Sequence, residues 1–317
     1  AWRRIPPPPA NAPFLPFADI PATTAAPFSA PALAPLISTI STSSCRKRSI
    51  ARSIAAPYLR DGVVEELLAY PVTTGTTDHP RGYFGAMEDF YDESAARIAA
   101  HLDDGRTVAI LAEGDPLFYS SFMYLHDRLA PAYDVEIIPG ITSISGSSAV
   151  AAQAISRHED VLTVLPGTLP KHELARRLAD TEAAVIMKLG KHYPAVIEAL
   201  REAGRLDEAI YVERATHESQ RVASAAEVDP ASVPYFSQII VPGIDRRADF
   251  AGRAPTSGRI DPPRPGGQVW VVGLGPGPER WLTPEASDVL ARVGHVVGYA
   301  PYVARVPQRE GLTRHAS

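Results

Sequence analysis

Cysteine is all but missing from this 317-residue sequence: Cys45 is the only one. A lone thiol excludes an intrachain disulfide framework and a zinc site built on cysteine ligands, and it fits a reducing cytoplasm. Long hydrophobic runs are missing as well. No stretch reaches the roughly 18 consecutive apolar residues that a membrane span requires, so no membrane partner is expected. Positive charge is in short supply: 31 Lys and Arg face 36 Asp and Glu, for a formal net charge of −5. Non-specific nucleic-acid binding needs clustered cations to neutralise phosphates. That class is excluded, while a local basic pocket for an acidic small molecule is not. The nine histidines show no His-x-x-x-His pair with a nearby acid, so no metal centre is expected. No Ser–His–Asp triad can be assigned from residue order alone. No secretory signal is expected, because Pro6 to Pro9 follow Arg3 and Arg4 where an apolar stretch would be needed. The sequence opens without an initiator Met and closes on Arg314-His315-Ala316-Ser317, the pattern expected of a fragment.

What is present falls into four textures. Residues 1–44 are rich in Pro, Ala, Ser and Thr, with Asp19 the one charge between Arg4 and Arg46. Repeated prolines lack a donor and fix φ, so this stretch is expected to be disordered or an aberrant start. Residues 45–243 have the texture of an α/β domain. Short apolar runs at 107–112, 135–138, 161–165, 184–188, 209–212 and 237–241 have the length and β-branched content of strands buried on both faces. Between them, Phe90, Ser94, Ala95, Ile98 and Leu102 share one helical face. Leu174, Leu178, Val196, Ile197 and Leu200 mark two further helices. This alternation predicts a largely parallel sheet with covered faces. Residues 244–267, ending Arg264-Pro265-Gly266-Gly267, have linker composition. Residues 268–317 then open a second module: a strand at 268–273, a glycine-rich turn, a helix over 284–293 and a strand at 295–298.

Three loops carry candidate chemistry. Glu113-Gly114-Asp115-Pro116-Leu117-Phe118-Tyr119 follows the run at 107–112, and strand ends in α/β sheets are where ligands sit. Gly114 permits close backbone approach, Asp115 accepts hydrogen bonds and Pro116 fixes the turn. An ordinary turn would use the same residues. Pro139-Gly140-Ile141-Thr142-Ser143 follows the next run and reads equally as a helix cap on Thr142 or Ser143. The third loop, Gly273-Leu274-Gly275-Pro276-Gly277, has the place of a nucleotide-binding turn. Pro276 counts against a dinucleotide, since it removes an N–H that a phosphate cradle would use.

Taken together, these three loops resemble the signature loops of the tetrapyrrole (corrin/porphyrin) methyltransferase superfamily. Ser49-Ile50-Ala51-Arg52, the stretch from Glu113 to His126, and Val164-Leu165-Pro166-Gly167-Thr168 resemble precorrin-2 C20-methyltransferases more narrowly. Val185-Ile186-Met187-Lys188 and Tyr211-Val212-Glu213-Arg214-Ala215-Thr216 fit the same family. Residues 268–317, with Gly298-Tyr299-Ala300-Pro301-Tyr302, resemble the start of a precorrin-3B C17-methyltransferase, so the whole resembles a fusion of two pathway enzymes cut short in the second.

The resemblance implies an α/β fold of two subdomains with S-adenosyl-L-methionine in the cleft between them. It implies Glu113, Gly114, Asp115, Phe118, Thr142, Ser143, Met187 and Ala215 as cofactor-lining residues, and Pro276 in the second module. Tyr119 and Glu113 are the candidate catalytic bases, with His126 a further possibility more simply explained as a helix-surface residue. Arg52, Arg97 and Arg214 are available for the carboxylates of a tetrapyrrole substrate, precorrin-2. A homodimer and a cytoplasmic location are implied in the same way. One departure stands out: family members begin with a strand and a Gly-x-Gly-Pro-Gly loop, and the first strand and loop of the first module look missing here. An incomplete sheet and a weakened cofactor site are the expected result. Rival readings are another superfamily member such as a uroporphyrinogen-III or cobalt-precorrin-2 methyltransferase, a nicotinamide-dependent oxidoreductase resting on the glycines at 273–277, and a non-catalytic remnant.

Overall fold

The computed structural model describes residues 36–41, 50–72, 77–243, 267–277 and 279–317, with side chains from residue 50 onward. The chain divides into two compact units, 1–246 and 247–317. Most of the proline-rich stretch, Cys45 and all but the last residue of the linker segment lie outside the described residues.

The first unit holds two sheets. The smaller is built from β1 (Leu36–Ser41), β2 (Val64–Ala69) and β3 (Val108–Leu111), with β1 in the centre and both pairings parallel. This corrects the expectation of a missing first strand. Prolines stop at Pro35, and Leu36-Ile37-Ser38-Thr39-Ile40-Ser41 is apolar and β-branched enough to pair on both edges. The short α1 (Ile50–Ala55) precedes β2, and α2 (Gly82–Asp103) crosses from β2 to β3. α3 (Phe122–Leu129) packs on α2. Leu68, Met87, Phe90, Tyr91, Ile98, Leu125 and Leu129 form one core there, where each large side chain contributes roughly 1.5–3 kcal/mol on burial. Residues 135–138 form no strand, which is a second correction. Val135 and Ile137 do turn into this core, but Pro139 follows at once and removes a ladder donor.

α4 (Ser143–Val150) leads to the larger sheet, of order β4-β5-β8-β6-β7: β4 (Leu162–Pro166), β5 (Ala183–Met187), β6 (Ile210–Glu213), β7 (Arg221–Ser224) and β8 (Ser237–Val241). Only β4 and β5 are parallel, and the other three pairings are antiparallel. The expected largely parallel arrangement therefore holds for the smaller sheet alone. A short turn joins β6 to β7, too short for the crossover a parallel pair needs. α5 (Lys171–Ala179) and α6 (Tyr193–Glu202) pack together, with Leu174, Leu178, Val196 and Leu200 fully buried. Arg205 ties this lobe at its base. Its guanidinium donates to the carbonyls of Thr181 at 2.8 Å, Glu182 at 2.7 Å and Pro242 at 3.1 Å, and its Nε pairs with Glu208.

The second unit has α7 (Pro284–Arg292), β9 (His295–Gly298), α8 (Ala300–Ala304) and β10 (Thr313–Ala316), with β9 and β10 parallel. Thr283 caps α7 by accepting from Ala286 N at 3.1 Å. Residues 268–273 are not a strand, a third correction. An apolar run needs a hydrogen-bonded neighbour as well as composition; here Val269 and Val271 stand exposed. Among the described residues, no helix is long and apolar enough to cross a membrane.

Candidate active site

The geometry around β3 begins with a left-handed residue. Gly114 sits at φ +77°, which turns the chain sharply away from the strand end. Asp115 then spends both carboxylate oxygens on backbone: Oδ1 accepts from Leu117 N at 2.9 Å and Oδ2 from Gly140 N at 3.1 Å. That second bond joins two loops 25 residues apart. Their approach is so close that a Cβ on Gly140 would lie 2.0 Å from the Gly114 carbonyl oxygen. Thr142 caps α4, its side chain accepting from Ser145 N at 3.4 Å. The carbonyl of Ser143 accepts from Gln238 Nε2 at 2.7 Å, and the same amide bonds Ser147 Oγ. This pins α4 to β8 of the larger sheet.

The facing side comes from strand ends of the larger sheet. Met187 closes β5, half-buried, its carbonyl accepting from Gly167 N at 2.7 Å. Lys188 follows at φ +59° and places its Nζ 4.9 Å from the ring centroid of Tyr119. The turn after β6 carries Arg214 at φ +46°, Ala215, Thr216 at φ +69° and His217. Tyr119 is itself left-handed, at φ +55°, and packs edge-on against Phe118 with centroids 5.1 Å apart. Left-handed residues other than glycine are costly and gather where a site dictates backbone shape. Four of the six described ones, Tyr119, Lys188, Arg214 and Thr216, are in these loops.

Glu113 is a titratable group that its surroundings perturb. Desolvation raises its carboxyl above the usual carboxylate range, and the charge of His217 acts the other way. As a residue Glu113 is exposed, so its carboxyl is sunk among neighbouring atoms but still reached by solvent. Beside it, burial raises the Tyr235 phenol, helped by the charges of Tyr83 and Glu113. A cavity of about 460 Å³ lies along the turn after β6, lined by Ile50, Ser53 and Ile54 of α1 and by Arg214, His217, Ser219 and Phe236.

The structure thus gathers the loops carrying Glu113, Gly114, Asp115, Phe118, Tyr119, Thr142 and Ser143, and it meets them with residues adjoining Met187 and Ala215. Pro276 lies in the second unit, exposed, in a loop whose carbonyls at Leu274, Gly275 and Gly277 accept from Arg305. His126 stays on α3, its ring 5.9 Å from that of Phe122. Arg52 pairs with Glu65 at 2.7 Å and Arg97 with Glu66. Sequence reasoning missed His217 and Tyr235. His217 could have been flagged by its place three residues past Arg214, on a strand-end turn; Tyr235 gave no signal, since its nearness to Glu113 is set by the tertiary structure.

Loops from strand ends of two sheets meet where Lys188 lies over Tyr119, an arrangement of the α/β, cleft-binding type. The family model for tetrapyrrole (corrin/porphyrin) methylases matches residues 40–229, and the chain belongs to that family. The cobalamin biosynthesis protein CobIJ of Mycobacterium tuberculosis is 53% identical over 269 residues, 85% of this chain and 50% of that one. A precorrin-2 C(20)-methyltransferase from Sinorhizobium sp is 50% identical over 192 residues, 61% of this chain and 78% of that one. The cobalt-precorrin-2 C(20)-methyltransferase of Salmonella typhimurium is 27% identical over 195 residues, 61% of this chain and 79% of that one. The chain spans about half the length of the CobIJ relatives it matches.

Proposed function

We propose that residues 36–243 catalyse S-adenosyl-L-methionine-dependent methylation of precorrin-2 at C20, in a chain that continues into a precorrin-3B C17-methyltransferase-like unit. The observation that carries the reading is the Asp115–Gly140 junction, which ties the loop leaving β3 to the loop that enters α4. Identity of 50% to a relative named for precorrin-2, against 27% to one named for the cobalt-containing ring, supports the metal-free substrate. The 269-residue likeness to CobIJ supports the fused arrangement.

The residues present suit a cationic, hydroxyl-bearing cofactor. Glu113 offers a partly desolvated carboxylate, Gly114 presents backbone without a Cβ, and Thr142 adds a hydroxyl. We assign Glu113, Gly114, Asp115, Phe118, Thr142, Ser143, Met187 and Ala215 to holding it, and Pro276 to the corresponding place in the second unit. When bound, S-adenosylmethionine supplies a methyl group already activated on a sulfonium. The protein's part is alignment, since transfer needs reacting atoms within roughly 3–3.5 Å. The Asp115 bonds fix the loop on one side, and the Lys188–Tyr119 contact fixes it on the other. Glu113, with its raised carboxyl, accepts the proton leaving the methylated carbon, with Tyr119 the neighbouring candidate.

Incubation with precorrin-2 and methyl-labelled donor, followed by carbon NMR of the product, tests this. A new methyl at C20 is expected; label at another ring carbon, or none, refutes it. A second reading rests on one observation: no glycine precedes Gly62 in the sequence, so the first module lacks the glycine loop its family carries. On that reading the chain folds but holds the donor weakly, and calorimetric titration with S-adenosylhomocysteine separates the two. The proposal extends to a cytoplasmic homodimer, which sedimentation velocity of the purified chain tests.

A further inference from the structure

We propose that Arg214 and His217, on the turn that leaves β6, form a carboxylate-binding subsite in the 460 Å³ cavity beside the cleft. The inference rests on the methyltransferase reading and deepens it by naming the groups that grip an acidic ligand. Three arginines come into question for that task, and their surroundings separate them. Arg52 and Arg97 lie against Glu65 and Glu66 on β2, where the pairing ties them to their own lobe. Arg214 instead lines the cavity.

Arg214 is also the one held in place from behind. Glu213 is buried, accepts from Tyr211 Oη at 2.9 Å, and takes Nη1 of Arg214 through its other oxygen. The backbone N–H of Arg214 donates to the Phe236 carbonyl at 2.9 Å, and the residue sits left-handed at φ +46°. A guanidinium has five N–H donors in a fixed fork. Glu213 is the one side chain it engages among the described residues, which leaves donors for a second, planar anion. His217 stands three residues on in the same cavity wall, and its ring nitrogens can complete the grip. Ile50, Ile54 and Phe236 contribute apolar surface to the same lining.

Two ligands bring carboxylates here: the acidic side chains of a tetrapyrrole, and the amino-acid end of the methyl donor. Fluorescence titration with uroporphyrin III and calorimetry with S-adenosylhomocysteine distinguish them, on the full chain and on R214Q, R214K and H217Q. R214Q is expected to weaken binding of one probe about tenfold, the order expected for losing one charge-assisted hydrogen bond. R214K should recover part of that loss, and H217Q should weaken the same probe less. Loss in the porphyrin arm assigns the subsite to the macrocycle; loss in the other arm assigns it to the donor. Thermal melts identify any variant that has lost its fold, in which case R214K and H217Q carry the test. Wild-type affinities in every folded variant overturn the subsite and leave the methyltransferase reading standing. A wild-type chain that binds neither probe takes down both.

Discussion

Gly140→Ala is the sharpest perturbation this structure offers, because it adds one carbon where two loops meet. The new Cβ would stand 2.0 Å from the Gly114 carbonyl oxygen and 2.9 Å from its carbonyl carbon, both backbone atoms with no rotamer to change. Ordinary contact begins at 3.4 Å, so the loops must part by the difference, about 1.4 Å. That would stretch the 3.1 Å Gly140–Asp115 bond to roughly 4.5 Å, past any useful hydrogen bond. In an exposed loop its loss costs about 1 kcal/mol, or a fall in Tm of about 3 °C for a domain of this size. The functional cost is expected to be far larger, since a displacement of about 1 Å at a site can lower turnover about 100-fold. Differential scanning fluorimetry with calorimetry against S-adenosylhomocysteine reads both quantities on one sample. A G140A chain that melts slightly early yet binds and turns over like wild type would mean the junction does not shape the site.

Gly114→Ala probes the same loop by another route: there is space, with only the Ile141 carbonyl oxygen at 3.7 Å, but φ is +77°. A cost of about 1–2 kcal/mol in stability is expected, read by urea unfolding, and no measurable change would contradict the left-handed turn. Glu113→Gln tests the raised carboxyl. A raised folded value means the protonated form favours folding, so its contribution is complete below the unfolded value near 4.5 and vanishes as pH climbs through the folded one. E113Q should therefore melt above wild type at pH 7 and lose that advantage below about pH 4; a constant gap across the range would sink the assignment. Arg205→Met leaves the carbonyls of Thr181, Glu182 and Pro242 without their buried donor, and a loss of about 3 kcal/mol is expected by chemical denaturation. A neutral result there would show that water replaces the clamp.

Much of the architecture was legible because hydrophobic period is a local property. The runs around Val108–Leu111, Ala183–Met187 and Ser237–Val241 announced strands, and the spacing of Leu174, Leu178, Val196 and Leu200 announced helices. The errors fell where pairing decides. Residues 135–138 and 268–273 have strand composition but no ladder partner among the described residues, while Leu36–Ser41 sat unnoticed behind its prolines and became the centre of a sheet. The antiparallel order of the larger sheet was equally hidden, since a run of apolar residues carries no direction.

For the site, composition and motif alone determined which loops matter: Glu113 to Tyr119 and Pro139 to Ser143 were marked by glycine, proline and small hydroxyls at strand ends. Only the tertiary structure decided that Asp115 reaches Gly140, that Lys188 lies over Tyr119, and that Arg214 rather than Arg52 or Arg97 lines a cavity. The reason is physical. Turn chemistry is fixed by a residue and its immediate neighbours, whereas a cleft exists only once two separately folded cores bring their strand ends face to face.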